Sequence, residues 1–90
     1  MHQAHIIISG KVQGVFYRAS CQDVAIGYDL KGRVKNLPTG EVEVLAQGEK
    51  EKIEKLIEWC KKGPPSAKVN QVKVEWETNI TEKYFSFEIR

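Results

Sequence analysis

Apolar residues recur along this chain with two different periods. From Glu41 to Gln47 they alternate, with Val42, Val44 and Ala46 facing one way and Glu41 and Glu43 the other. That is the period of a strand buried on one face. Around Ile53 the period changes. Ile53, Leu56, Ile57 and Cys60 fall on one stripe of a helix, and Glu51 with Lys55 and Glu58 with Lys62 stand four residues apart on the rest of it, as candidate ion pairs. Lys61 and Lys62 suit the negative end of that helix, Gly63 can cap it and Pro64-Pro65 stops it. A second helical stripe, Cys21, Val24, Ala25 and Tyr28, starts at Arg18, with Asp29 suited to a left-handed turn at its end.

Strands account for the rest. His5 to Gly10 is apolar and β-branched, and Leu30 to Leu37 leads through a Pro38-Thr39-Gly40 turn into the alternating segment, forming a hairpin. Val72, Val74 and Trp76 alternate in a fourth strand, and Phe85, Phe87 and Ile89 in a short fifth. The order is β-α-β-β-α-β plus a short final strand. Two helices with one apolar face each and strands that alternate pack economically as two layers, an antiparallel sheet with both helices on one face. This predicts an α+β, ferredoxin-like sandwich over residues 1–90, a superfold shared by many functions.

Composition narrows the partners. The chain has 90 residues, 14 Lys and Arg against 12 Asp and Glu, and a net charge of +2, so no overall basicity points to nucleic acid or a membrane surface. No apolar run reaches transmembrane length, and the start, MHQAHIII, lacks the features of a secretory signal. A cytoplasmic location is expected, Asn79-Ile80-Thr81 is read as a chance glycosylation match, and nothing points to an obligate dimer, so a monomer is expected. Cys21 and Cys60 lie on the two apolar helix faces and are read as buried thiols. His2 and His5, at a strand start, do not form a metal pair, and no carboxylate or histidine cluster suggests a metal or cofactor. Trp59 and Trp76 are read as packing residues.

Gly10 to Arg18, GKVQGVFYR, is the stretch that carries chemistry. It joins a strand end to a helix start, where unpaired N–H groups and the positive end of the helix dipole meet. Glycines allow consecutive N–H groups to curl round one hollow that suits an anion, and Arg18 adds a planar charged fork. A positive side chain at a helix N-terminus is unfavourable unless an anion answers it. The stretch matches neither a Walker loop nor GxGxxG. Taken alone, it reads equally as an anion nest or as a glycine turn with a surface arginine.

The whole loop resembles the signature of the acylphosphatases: an apolar residue, any residue, then Gly-x-Val-Gln-Gly-Val-x-Phe-Arg. Here Ile8 to Arg18 follow that pattern, with Tyr17 where Phe or Met is usual. A second signature is matched by Gly32, Val34, Asn36, Gly40, Val42 and Gly48, with Arg33 in place of the usual aromatic. Arg33 is expected on the exposed face of the sheet. The resemblance implies hydrolysis of the carboxyl–phosphate anhydride of a small-molecule acyl phosphate, without metal or cofactor, giving a carboxylate and inorganic phosphate, which also inhibits. It implies that the backbone N–H groups of Gln13, Gly14, Val15, Phe16, Tyr17 and Arg18 cradle the phosphoryl oxygens. Arg18 would clamp two of them, and Asn36 would orient the attacking water.

Two other classes compete. An RNA-binding module of this fold would stack bases on strand aromatics, but HIIISG and EVEVLAQ carry none. A non-catalytic module binding acyl phosphate or phosphate would share the motifs. Because the chain ends directly after its last strand, a free-standing enzyme is expected.

Overall fold

The computed structural model describes residues 1–90. Its elements are β1 (His2–Lys11), α1 (Tyr17–Gly27), β2 (Lys31–Asn36), β3 (Val42–Gly48), α2 (Lys50–Lys62), β4 (Lys68–Glu77) and β5 (Phe87–Ile89). The five strands form one sheet in the order β4-β1-β3-β2-β5. The sheet carries Ala4, Ile6, Ile8, Val34, Val42, Val44 and Ala46 into a single core with Cys21 and Ala25 of α1 and Ile53, Leu56 and Cys60 of α2. Each fully buried Val, Leu or Ile side chain contributes roughly 1.5–3 kcal/mol relative to its exposed state.

The layered sandwich is the expected one, but the sheet is mixed rather than antiparallel. β5 pairs parallel with β2, with Phe87 opposite Gly32 and Ile89 opposite Val34. The reason is topological. β4 and β5 occupy opposite edges, so the chain crosses the sheet between them and arrives in the direction of β2. That crossing also covers part of the face away from the helices. Tyr84 is buried there, its N–H donating to Oε1 of Gln47 at 3.0 Å, and Gln47 in turn donates to the backbone oxygen of Glu82 at 2.6 Å. The expected fifth strand is consequently shorter at its start, and Phe85 stands out in solvent.

Arg33 does lie on the face away from the helices, yet it is only 18% exposed. Its Nη1 is 2.5 Å from a Glu43 carboxylate oxygen, and its Nε donates to the Tyr84 hydroxyl at 3.1 Å. His5 Nε2 lies 2.8 Å from the other Glu43 oxygen. Partial burial acts to raise the Glu43 pKa, but hydrogen bonds from Arg33 and His5 outweigh it and hold the carboxyl at about 2. An ion pair thus replaces the usual aromatic without exposing the strand.

The α2 stripe is buried as its spacing predicts, but the expected four-residue ion pairs do not form. Lys61 instead reaches Glu58 at 2.8 Å, and Lys55 lies over the Tyr28 ring at 5.9 Å. Such exposed pairs contribute little, so the geometry yields to better local contacts. Val74 and Trp76 are more exposed than packing residues, because β4 is an edge strand, and Trp76 is covered only by Lys50 of α2, whose Nζ lies 5.6 Å from the ring. Trp59 packs against Tyr17 with ring centroids 5.2 Å apart. Cys21 and Cys60 are both buried and free.

Candidate active site

A cleft of about 300 Å³ opens where the β1–α1 loop faces the end of β2. It is lined by Gly14, Phe16, Arg18 and Asn36, with Val12, Tyr17, Ala19 and Ile89 completing the wall.

The loop's shape follows from its glycines and its anchors. β4 carries an extra residue, Asn70, opposite the Ser9–Gly10 step of β1, and at Gly10 a side chain would collide with the backbone of Lys68. Gly14 takes a left-handed φ of 75°, and so does Phe16 at 65°. Glycine bears this at no steric cost; for phenylalanine it costs about 1–2 kcal/mol. Val12 and Val15 are buried and pin the loop to the core. Gln13 is turned away from the cleft, its Nε2 donating at 2.9 Å to the carbonyls of both Leu37 and Glu41. The loop is thereby tied to the hairpin that follows Asn36.

The curled backbone leaves its donors free. From Gln13 through Ala19, no main-chain N–H donates to an oxygen of the protein. α1 begins at Tyr17 with no acidic residue in its first turn, so no carboxylate of that turn offsets the positive end of its dipole. Arg18 adds a guanidinium, steadied by a 2.9 Å hydrogen bond from Nη1 to the main-chain oxygen of Arg90. Free N–H groups, dipole and guanidinium form one electropositive hollow suited to phosphate.

Asn36 ends β2 against this hollow. Its Oδ1 is buried and accepts no hydrogen bond from the protein. A buried acceptor left unpaired costs about 1–3 kcal/mol, so it persists where a ligand or water satisfies it. Thr39, near Asn36, is an exposed turn residue bonded to Glu41.

The cleft therefore gathers Gly14, Phe16, Tyr17, Arg18 and Asn36, while the side chains of Gln13 and Val15 serve the scaffold. Two contributors escaped the sequence reading. Ile89 and the main-chain oxygen of Arg90 come from the far end of the chain, and no local pattern signals their approach to Arg18. Tyr17 has a second role. Its hydroxyl donates to the Cys60 carbonyl at 2.7 Å. In a continuing helix that carbonyl would take the N–H four residues on, but that residue is Pro64, which has none. Burial, reinforced by the neighbouring Cys60, pushes the phenol pKa far up, so it remains a donor.

The chain's relatives share this architecture. It is 41% identical to an acylphosphatase of Pelotomaculum thermopropionicum over 97% of this chain and 94% of the relative. The crystal structure of an acylphosphatase from Bacillus subtilis superposes with a TM-score of 0.95 at 37% identity, covering 100% of this chain and 99% of that one. An acylphosphatase structure from Coxiella burnetii gives a TM-score of 0.90 at 44% identity, over 98% and 90% of the two chains. The Acylphosphatase family model matches residues 4–89. With the signature residues Gly14, Arg18 and Asn36 lining one cleft and nearly the whole chain matched, this protein belongs to the acylphosphatase family.

Proposed function

We propose that the cleft hydrolyses acyl phosphates with the free N–H groups of Gln13 to Arg18 and the Arg18 guanidinium on the phosphoryl oxygens. Asn36 holds the water. The observation that carries this reading is the unpartnered, buried Oδ1 of Asn36 beside Arg18 in one cleft. An amide is too weak a base to take a proton at neutral pH. It can accept one hydrogen of a water and so direct the lone pair at phosphorus. The P–O bond to the acyl group breaks as the bond to water forms, and a proton of the water passes to a phosphoryl oxygen, so that a carboxylate and dihydrogen phosphate leave. The leaving carboxylate needs no general acid, since its conjugate acid has a pKa of roughly 4. The transition state is loose, with charge on the equatorial oxygens, so fixed donors and positioning supply the catalysis. Buried, unpaired Cys21 and Cys60 suit a reducing compartment, and we place the protein in the cytoplasm as a monomer.

The test is hydrolysis of benzoyl phosphate by purified protein, before and after exhaustive chelation, with inorganic phosphate as inhibitor. Chelator-resistant turnover, competitively inhibited by phosphate, is expected. Phosphate binding without turnover would instead identify a non-catalytic binding module.

A further inference from the structure

Two residues other than glycine adopt positive φ in this protein, Phe16 and Asp29. Asp29 is a residue type that tolerates that conformation through local hydrogen bonding, and its place at the end of α1 explains it. Phe16 has no such excuse. Its backbone must curl to aim the loop's N–H groups into the hollow, a demand that glycine or asparagine would meet with less strain. The residue is 80% exposed, so it gains almost nothing from the core. Phe85 is as exposed, but it bears no backbone strain and lies outside the cleft.

The ring's surroundings supply a reason. Phe16 projects from within the anion cradle, between Gly14 and Arg18, and lines the cleft together with Ala19 and Ile89. Ile89 is itself 42% exposed and precedes Arg90, whose main-chain oxygen steadies Arg18. The apolar groups thus reach the cleft of Arg18 from two parts of the chain, the entrance and first turn of α1 and the end of β5. A phosphoryl group seated on the free N–H groups would carry its acyl substituent past them. We propose that Phe16 and Ile89 form an acyl-binding wall that selects acyl phosphates with aromatic or extended apolar acyl groups over those with small ones. This rests on the catalytic reading above and extends it from the phosphoryl half of the substrate to the acyl half.

The experiment measures kcat/KM for benzoyl phosphate and for acetyl phosphate, which share the reacting group and differ in the acyl substituent. The variants are Phe16→Asn, which suits the left-handed backbone but lacks the ring, Phe16→Tyr, which keeps it, and Ile89→Thr, which keeps β-branching on the edge strand. The ratio of the two kcat/KM values should fall about tenfold in Phe16→Asn, the scale of one lost aromatic contact in a half-open groove. It should fall less in Ile89→Thr and be retained in Phe16→Tyr. The inhibition constant of inorganic phosphate, which has no acyl group, reports on the cradle separately. A ratio that stays within about twofold in Phe16→Asn, or benzoyl phosphate turnover lost only in step with phosphate binding, would overturn the acyl wall and leave the hydrolase reading standing. Failure of the parent to hydrolyse either compound would overturn both.

Discussion

Nη1 of Arg18, at the start of α1, donates to the main-chain oxygen of Arg90, just beyond β5, at 2.9 Å. The tie spans nearly the whole chain, and β5 is held in turn by the Arg90 N–H donating to Val34 on β2 at 2.8 Å. The same strand, β2, ends in Asn36. The two charged or polar groups that face the cleft are therefore referenced to one strand, although they come from different elements. Since Arg18 is held through main chain, Arg90→Ala should preserve its orientation.

In the proposed reaction Arg18 would meet charge that is present on the phosphoryl oxygens before, during and after the step. Arg18→Gln should weaken inhibition by inorganic phosphate by about a hundredfold, as expected for a charge-assisted contact of about 3 kcal/mol, and should lower turnover at least as much. Arg18→Lys should rescue poorly, because a point charge does not span two oxygens. Steady-state kinetics with phosphate as competitor, and circular dichroism to confirm folding, decide this. A folded Arg18→Gln protein that binds phosphate like the parent contradicts the assignment.

Asn36 is expected to behave in the opposite way. Asn36→Ala should depress kcat on the order of a hundredfold, the scale of a misplaced reacting group, with KM and phosphate inhibition nearly unchanged. Because Oδ1 has no partner in the protein, its loss breaks no hydrogen bond of the fold, and the urea midpoint should hold. Near-normal kcat in this variant would remove Asn36 from the mechanism.

Gln13 joins the cradle to the β2–β3 hairpin through two carbonyls. Gln13→Ala should cost about 1–2 kcal/mol of stability and lower kcat, since the loop can then move relative to Asn36. Gln13→Glu should be worse at neutral pH, because it sets a carboxylate against two carbonyl oxygens. Urea unfolding beside kinetics separates the two effects, and a stable, fully active Gln13→Glu protein would show that the tie is dispensable.

Tyr17→Phe restores the residue more usual in the family yet should destabilise this chain. It orphans the Cys60 carbonyl, which Pro64 does not serve, at a cost of about 1–3 kcal/mol. Chemical denaturation measures it directly. An unchanged midpoint would mean that water replaces the hydroxyl.

Glu43 sets an acid limit. Its folded pKa, about 2, is depressed below the ordinary value of 4.5. A depressed carboxyl contributes stability that is present above 4.5 and is lost as pH falls toward 2. The parent's thermal midpoint should fall across that window. In Glu43→Gln the midpoint should be lower at neutral pH and the fall across the window shallower. Parallel pH profiles for parent and variant would assign the acid sensitivity elsewhere.

The element order, the buried stripe of α2 and the alternating core face of β3 were legible in the sequence, because periodicity in hydrophobicity is a local property that the chain must satisfy wherever it folds. The glycine-framed loop was legible locally only as either an anion nest or a glycine turn, and it was the resemblance to the two family signatures that singled out the loop and Asn36. The direction of β5 was not legible. Whether it runs with or against β2 depends on which edge the chain reaches after β4, and a strand's own alternation is the same either way. Arg33 read as a surface residue because no local signal says that the segment before β5 will cover it and that Glu43 will lie beside it. Tyr17's hydroxyl, Ile89 and the Arg90 oxygen acquired their places only when helices and strands far apart in sequence were packed together. Hydrogen bonding and apolar contact act over a few ångströms of space, and only the tertiary structure decides which residues fall within that reach.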